Sequence, residues 1–113
     1  MSLLPQDIRR RIPEMGSTHG TAVEKVTPQA CLVDRRSGMK WYVVEFDGKN
    51  TCFGLISGRH AVMGEFTLEE LETLSEVELD PDFQPARLAR LARHDPALQA
   101  LLPPPSEDLV ELQ

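Results

Sequence analysis

Residues 40–57, KWYVVEFDGKNTCFGLIS, contain the clearest strand and turn signals of the chain. The first seven of these, Lys40 to Phe46, are aromatic and β-branched, a composition typical of a strand. Asp47-Gly48 follows, and this dipeptide supplies the positive φ angles of a type I′ turn. Asn50 to Ser57 is therefore expected to return beside Lys40 to Phe46 as the second strand of an antiparallel hairpin.

Turn signals on both sides extend this hairpin to an antiparallel β-meander of about four strands. Gly58-Arg59 can form a two-residue turn of type II′ that leads into a strand from His60 to Phe66. Upstream, Ala30 to Arg35 is a further strand, and Arg36-Ser37-Gly38 joins it to the hairpin.

The two tight turns fix the strand register and thereby the residues on each face. Counting from Asp47-Gly48 places Trp41 over Gly54, and counting from Gly58-Arg59 places Leu55 opposite Val62. The expected core face carries Tyr42, Val44, Phe46, Phe53, Leu55, Val62 and Phe66. The other face carries Trp41, Val43, Glu45, Asn50, Cys52, Ile56, Met63 and Glu65.

Helices are expected before and after the sheet. Leu3 to Arg11 has apolar residues at helical spacing. Thr67-Leu68-Glu69-Glu70 is a capping box, so a helix is expected to begin there, with Phe66 and Leu71 clamping its start. Ala86 to His94 predicts an amphipathic C-terminal helix.

Length and composition indicate one small α+β domain. Of the 113 residues, 41% are hydrophobic, which is ordinary for a folded domain. We assign residues 1–102 to this domain and residues 103–113 to a Pro-rich, acidic tail. The net charge of −6 disfavours a general polyanion binder, because counterion release needs clustered cations. The chain has no apolar run that could span a bilayer and no signal-peptide pattern, so we expect a cytoplasmic protein.

Four segments carry a resemblance to a known family. They are LLPQDIRRRIPEMG (residues 3–16), ACLVDRRSGMKW (residues 30–41), YVVEFDGKNTCFGL (residues 42–55) and FTLEEL (residues 66–71). In these residues and in their order, the chain resembles the bacterial family Domain of Unknown Function 2958 over about residues 3–86.

The resemblance implies little about chemistry, because that family has no established activity and offers no catalytic residues to carry over. Its members are common on plasmids and integrative elements, which implies an accessory role in mobile-element biology. The chain departs from the family pattern in its short loop from Asp47 to Cys52, and in Glu65, where an aromatic residue is commoner.

Two acidic residues on one predicted face form the candidate reactive site. Glu45 and Glu65 are expected about 10 Å apart at their backbones, with Cys52 between them. Long side chains at this spacing could share a proton or a metal, or flank a substrate as an acid/base pair. The alternative is a solvated surface, and His60 lies too far from Cys52 to activate it. We therefore predict no catalytic residue, no metal and no cofactor, and we expect Cys31 and Cys52 to be reduced and buried.

The same face also predicts a contact surface. Its apolar members would form a patch that either the N-terminal helix or a partner protein must cover. The interaction-surface candidates are Trp41, Val43, Glu45, Cys52, Ile56, Met63 and Glu65.

Three groups of arginines are candidates for an anion-binding patch. These are Arg9, Arg10 and Arg11; Arg35 and Arg36; and Arg87, Arg90 and Arg93. Arginines on helices usually cover apolar surface, and no aromatic residues interleave these, which disfavours single-stranded nucleic acid.

Three functions follow from these features. The favoured hypothesis is a non-enzymatic accessory module that binds another protein through the mixed face or through a sheet edge. The alternatives are a small enzyme or metal-binding protein using Glu45 and Glu65, and a nucleic-acid-associated protein using the arginines. The partner and the oligomeric state are open at this point.

Overall fold

A single antiparallel sheet of five strands, in the order β4-β3-β2-β1-β5, organises the computed structural model. The structure describes residues 3–103, so most of the predicted acidic tail lies outside the described residues. The α+β prediction is confirmed, with one strand more than the sequence indicated. The strands are β1 (Ala30–Asp34), β2 (Lys40–Phe46), β3 (Thr51–Ser57), β4 (Ala61–Thr67) and β5 (Val77–Leu79).

The helices are shorter than the periodicity of the sequence predicts. Each is about one turn long. Helices this short are marginal in isolation and depend on packing against the rest of the chain. In residues 3–103 we find no helix long and apolar enough to cross a membrane. The helices are α1 (Gln6–Arg9), α2 (Leu68–Glu72) and α3 (Leu88–Leu91), with 3₁₀ turns at Val23–Lys25 and Pro96–Leu101.

The fifth strand, β5, was not predicted from the sequence. It pairs with β1, with Leu79 beside Leu32 and Val77 beside Asp34. The ion pair between Arg35 and Glu78 joins the two strands at the surface. Three residues of apolar–acidic–apolar alternation are too few to separate a strand from a loop by pattern alone.

The type I′ turn predicted at Asp47-Gly48 is wrong. Asp47 to Asn50 form a four-residue loop, in which the Asp47 carboxylate accepts hydrogen bonds from the backbone N–H groups of Lys49, Asn50 and Thr51, at 2.8, 2.8 and 3.1 Å. Next to the loop the pairing is therefore offset by three residues from the prediction, and a β-bulge between Val43 and Glu45 reduces the offset to two along the rest of β2.

The second turn is also longer than predicted, so the expected pairing of Leu55 with Val62 is wrong. Gly58 to His60 separate the strands, and Val62 faces Ile56. Trp41 also faces Ile56, so it does not lie over Gly54 as expected. A one-residue slip reverses the two sides of a strand, so β4 is turned over relative to the prediction.

Both sides of the sheet are covered, and we name each side by one β2 residue. The Trp41 face packs against Leu4 and Ile12 of the N-terminal segment and Leu68 and Leu71 of α2. Its strand residues include Ala30, Leu32, Trp41, Val43, Phe46, Cys52, Ile56 and Phe66.

The Tyr42 face packs against α3 and the segment after it, through Leu88 and Leu98. Its strand residues include Cys31, Val33, Tyr42, Leu55, Ala61 and Met63. The predicted core face is therefore wrong in part. Phe46 and Phe66 lie on the Trp41 face, on the other side of the sheet from Tyr42 and Leu55.

The helix start at Thr67 is confirmed. The Thr67 hydroxyl accepts a hydrogen bond from the Glu70 N–H at 3.1 Å. Asn50 adds two further acceptors, since its backbone carbonyl and side chain take the N–H groups of Leu68 and Glu69 at 2.9 and 2.8 Å. Capping by both residues ties the start of α2 to the β2–β3 loop.

Asp95 anchors the C-terminal segment to the Tyr42 face. Its carboxylate oxygen Oδ2 accepts hydrogen bonds from the hydroxyls of Tyr42 and Ser57, both at 2.8 Å. Tyr42 and Ser57 are each 3% exposed. Burial raises the pKa of the Tyr42 hydroxyl, and the hydrogen bond to Asp95 raises it further.

Replacing Asp95 by alanine is expected to lower the free energy of unfolding by about 1–2 kcal/mol, because two buried hydroxyls lose their acceptor. Urea unfolding followed by the fluorescence of Trp41 measures this change. Asp82→Ala is the control, since Asp82 is exposed and the same measurement should show almost no loss. Equal stabilities for the two variants would contradict the anchoring role of Asp95.

Candidate functional site

The loop from Met15 to Thr21 crosses the Tyr42 face and is held there by Glu45. The Glu45 carboxylate accepts hydrogen bonds from the Gly16 N–H at 2.7 Å and the Thr18 N–H at 2.9 Å, and a third from the Thr18 hydroxyl. The bulge after Val43 turns Glu45 toward this loop. Gly16 has a φ of +84°, which suits glycine and gives the loop its turn.

Glu45 is an ionised carboxylate inside the structure. It is 4% exposed, and burial alone would raise its pKa. The hydrogen bonds from Thr18 and Gly16 favour the charged form more strongly, and His19 adds a smaller attraction. The pKa of Glu45 therefore lies below its ordinary value.

A cleft of about 320 Å³ lies between this loop and the strands β3 and β4. Its walls are mostly apolar, and Glu65 and His19 add exposed polar groups at its lining. The apolar part consists of Met15, Val26, Phe53 and Met63. Such a cleft is suited to an apolar or amphipathic side chain near an acid.

The structure brings Glu45 and Glu65 to the same face, as the sequence predicts, but with a different residue between them. Phe53 pairs with both, while Cys52 points to the Trp41 face. The two carboxylates differ in what they can do. The carboxylate of Glu45 accepts hydrogen bonds from the loop, whereas the side chain of Glu65 is exposed. Among residues 3–103, we find no group of three or more His, Cys, Asp or Glu side chains that could hold a metal ion.

Both cysteines are free and buried, as expected. Burial raises the pKa of Cys31 and of Cys52 to about 12. Because the thiolate is the nucleophile, neither thiol is activated at neutral pH. His60 is exposed in the β3–β4 turn, far along the strand from Cys52.

The predicted mixed face does not exist as one surface. Its candidates are divided between the two sides of the sheet because of the bulge and the one-residue slip. Trp41, Val43, Cys52 and Ile56 lie on the Trp41 face under the N-terminal segment, while Glu45, Met63 and Glu65 lie on the Tyr42 face.

The three arginine groups lie apart. Arg9 donates to the Leu4 carbonyl at 2.7 Å and its guanidinium lies 5.4 Å from the centre of the Phe46 ring, on the Trp41 face. Arg35 pairs with Glu78 at the β1–β2 turn. The helix α3, which carries Arg90, packs on the Tyr42 face. The remaining arginines of these groups, Arg10, Arg11, Arg36, Arg87 and Arg93, are exposed.

The outer edge of β4 is a feature that the sequence analysis did not single out. Gly58 donates to His60 at 3.1 Å, and Leu68 donates to Asn50 at 2.9 Å, so even-numbered positions of β4 bond to β3. In an antiparallel strand the alternate residues point their backbone groups the other way. The N–H and C=O groups of Ala61, Met63 and Glu65 therefore face away from the sheet.

This edge is open in the part of the chain that the structure describes, because β4 ends the strand order and pairs with β3 alone. Val62, the second residue of the strand, is 53% exposed. Met63 and Glu65, which line the cleft, belong to the same strand. The edge and the cleft are therefore parts of one continuous surface.

We compared the chain with models of protein families, with curated proteins and with solved structures, and none of them matches.

Proposed function

We propose that this chain is a non-enzymatic interaction module that binds another protein by accepting an extended segment as a strand beside β4. The open edge of β4 carries this proposal. A strand edge presents a row of unpaired donors and acceptors, and an added strand satisfies them through main-chain hydrogen bonds.

The chemistry of β4 supports this role. Natural edge strands are usually short, or protected by proline, lysine or a bulge. β4 has seven residues, contains neither proline nor lysine, and keeps a regular register with β3 along its whole length. A long, regular and weakly protected edge with an exposed Val62 is typical of a strand that pairs.

The side chains of the edge specify what would bind. Glu65 favours a basic residue opposite it, since opposite charges across strands stabilise pairing. Gly64 leaves open space, because a Cβ atom placed there would have no atom within 4 Å, so a ring can lie over it. Val62 favours an apolar residue. The proposed ligand is therefore an extended segment with basic, aromatic and apolar residues in that order.

An accessory role in mobile-element biology is part of the proposal and rests on the family resemblance alone. The enzyme alternative is less well supported, because the oxygens of Glu45 are occupied by Gly16 and Thr18.

A peptide experiment tests the strand-addition proposal. The probe is a labelled peptide of about seven residues, designed to place a basic, an aromatic and apolar residues opposite Glu65, Gly64 and Val62. Fluorescence anisotropy should show saturable binding to the wild-type protein. Methylating the peptide nitrogens that face β4 should abolish binding, whereas methylating the alternate nitrogens should leave it intact.

The matching protein variant is Met63→Pro. Its N–H points away from β3, so proline removes an outward donor and leaves the β3–β4 ladder in place. We expect binding to weaken by about tenfold or more relative to Met63→Ala, which loses the same side-chain packing but keeps the N–H. If the peptide affinity changed neither with the methylation pattern nor in Met63→Pro, strand addition at this edge would be refuted.

A further inference from the structure

The residues that β4 favours on an incoming strand are found in β4 itself and in the turn before it. Arg59 is basic, His60 carries a ring, and Ala61 and Val62 are apolar. Read from Arg59 onward, the chain has the basic, aromatic and apolar order that the edge selects. We propose that the partner of this edge is a second copy of the chain, joined through antiparallel pairing of two β4 strands.

This inference rests on the proposed function, and the geometry selects one register. Outward-facing residues must pair with outward-facing residues. In the register that also pairs the charges, Ala61 of one copy faces Met63 of the other and exchanges two hydrogen bonds with it. The two-fold axis then passes between the two Val62 side chains. This pair does not share hydrogen bonds, and side chains in such pairs lie closest together.

The same register satisfies the remaining side chains. Arg59 lies opposite Glu65 of the second copy, and symmetry creates this charge pair twice. His60 lies opposite Gly64 of the second copy, where a ring has room. Neither Arg59 nor Glu65 has an ion-pair partner within residues 3–103, in contrast to Arg35 and Glu78.

Neighbouring registers lose this complementarity. Shifting the second copy so that Met63 faces Met63 places Glu65 opposite Ala61 and leaves Arg59 without an acid. A further shift stacks Gly64 on Gly64 and places Glu65 opposite Met63. The register centred on Val62 therefore combines the charge pairs with the apolar contact.

The resulting dimer is closed and symmetric. Both copies use the same surface, as in the two-fold dimers that are commonest among soluble proteins. The two five-stranded sheets become one continuous sheet, joined through residues 61–63 of each β4 and flanked by the turn residues Arg59 and His60. Glu65 lines the cleft on the Tyr42 side, so each charge pair lies beside the cleft of the copy that supplies Glu65.

Sedimentation equilibrium of the full chain tests this proposal, at concentrations from about 1 µM to several hundred µM, because an interface of this size is expected to be weak. The wild type should associate to a dimer. Arg59→Glu and Glu65→Arg should each weaken the dimer by about tenfold, since each places like charges together twice. The double variant should recover the affinity, because its charges are complementary again.

Val62→Lys is the second test, because it places two ammonium groups at the axis while the exposed position tolerates lysine in the monomer. We expect it to be monomeric over the whole range. A monomeric wild type would overturn the dimer and leave the peptide binding of the proposed function standing. A dimer that persists in Val62→Lys, or charge reversals that the double variant does not rescue, would show that another surface or register is used.

Discussion

Replacing Gly54 by alanine is expected to destabilise the protein by about 4 kcal/mol or more, which in a small domain abolishes folding. A Cβ at this position would overlap the carbonyl oxygen of Tyr42 and lie 2.9 Å from its carbonyl carbon and 3.1 Å from the Val44 nitrogen. These are backbone atoms of the neighbouring strand. They cannot move aside without breaking hydrogen bonds between β2 and β3, so the variant cannot relieve the clash without losing part of the sheet.

Gly64→Ala is the matched control, because Gly64 pairs directly with Gly54 on the next strand. A Cβ there meets no atom within 4 Å, and its backbone is extended. We expect its free energy of unfolding to stay within about 0.5 kcal/mol of the wild-type value. Urea unfolding followed by circular dichroism measures both variants. A Gly54→Ala protein with the wild-type midpoint would show that the two strands are not as close as described.

Replacing Glu45 by glutamine is expected to cost about 2–3 kcal/mol at neutral pH. The carboxylate of Glu45 accepts from three donors on Gly16 and Thr18, and an amide presents its own N–H groups to some of them. The loop from Met15 to Thr21 should then lose its anchor. Limited proteolysis should accordingly cut this loop faster in the variant than in the wild type.

The effect of Glu45→Gln should also depend on pH. The folded-state pKa of Glu45 lies below its ordinary value of 4.5, so the folded protein binds its proton less readily than the unfolded chain does. The stabilisation is therefore complete above pH 4.5 and is lost as the pH falls through the lower, folded-state pKa. The stability difference between wild type and variant should shrink over that acidic range.

Glu65→Gln provides the control for this prediction. Glu65 lies in the same cross-strand row as Glu45, but it is exposed. Its replacement should change stability by less than about 0.5 kcal/mol. If the two variants behaved alike, Glu45 would not hold the loop through its charge.

Local signals in the sequence predicted the elements whose causes are local. The strand Lys40 to Phe46 was predicted with its observed bounds, because four aromatic and β-branched residues follow one another from Trp41 to Val44. The cap at Thr67 was predicted because the accepting hydroxyl and the N–H group that donates to it are three residues apart. Neither prediction needed knowledge of the rest of the chain.

The register could not be predicted because its causes are distributed along the chain. Asp47 binds three successive N–H groups and so supports a four-residue loop, although Asp47-Gly48 favours a two-residue turn. The bulge before Glu45 occurs where the adjoining Phe46 N–H bonds to Pro13 at 2.9 Å and Glu45 bonds to Gly16. Residues some 30 positions away thus determine the local geometry.

The candidate site was predicted in part through two errors that cancel. The bulge places the Glu45 side chain on the same face as Phe53 and not on the face of Cys52. The one-residue slip between β3 and β4 does the same for Glu65. The two acids therefore share a face, as expected, while Cys52 and Trp41 do not join them. The loop that completes the cleft has no hydrophobic pattern, and its position is set by the contact with Glu45.

Amide hydrogen exchange along β4, measured by NMR at a concentration where the chain is monomeric, tests the central claim of an open pairing edge most directly. We expect an alternating pattern: the N–H groups of Val62 and Gly64 are protected by β3, while those of Met63 and Glu65 exchange quickly. Protection of Met63 and Glu65 should then rise when the designed peptide is added. If all four groups were equally protected in the monomer, the edge would already be covered within the chain, and β4 would not be open to an added strand.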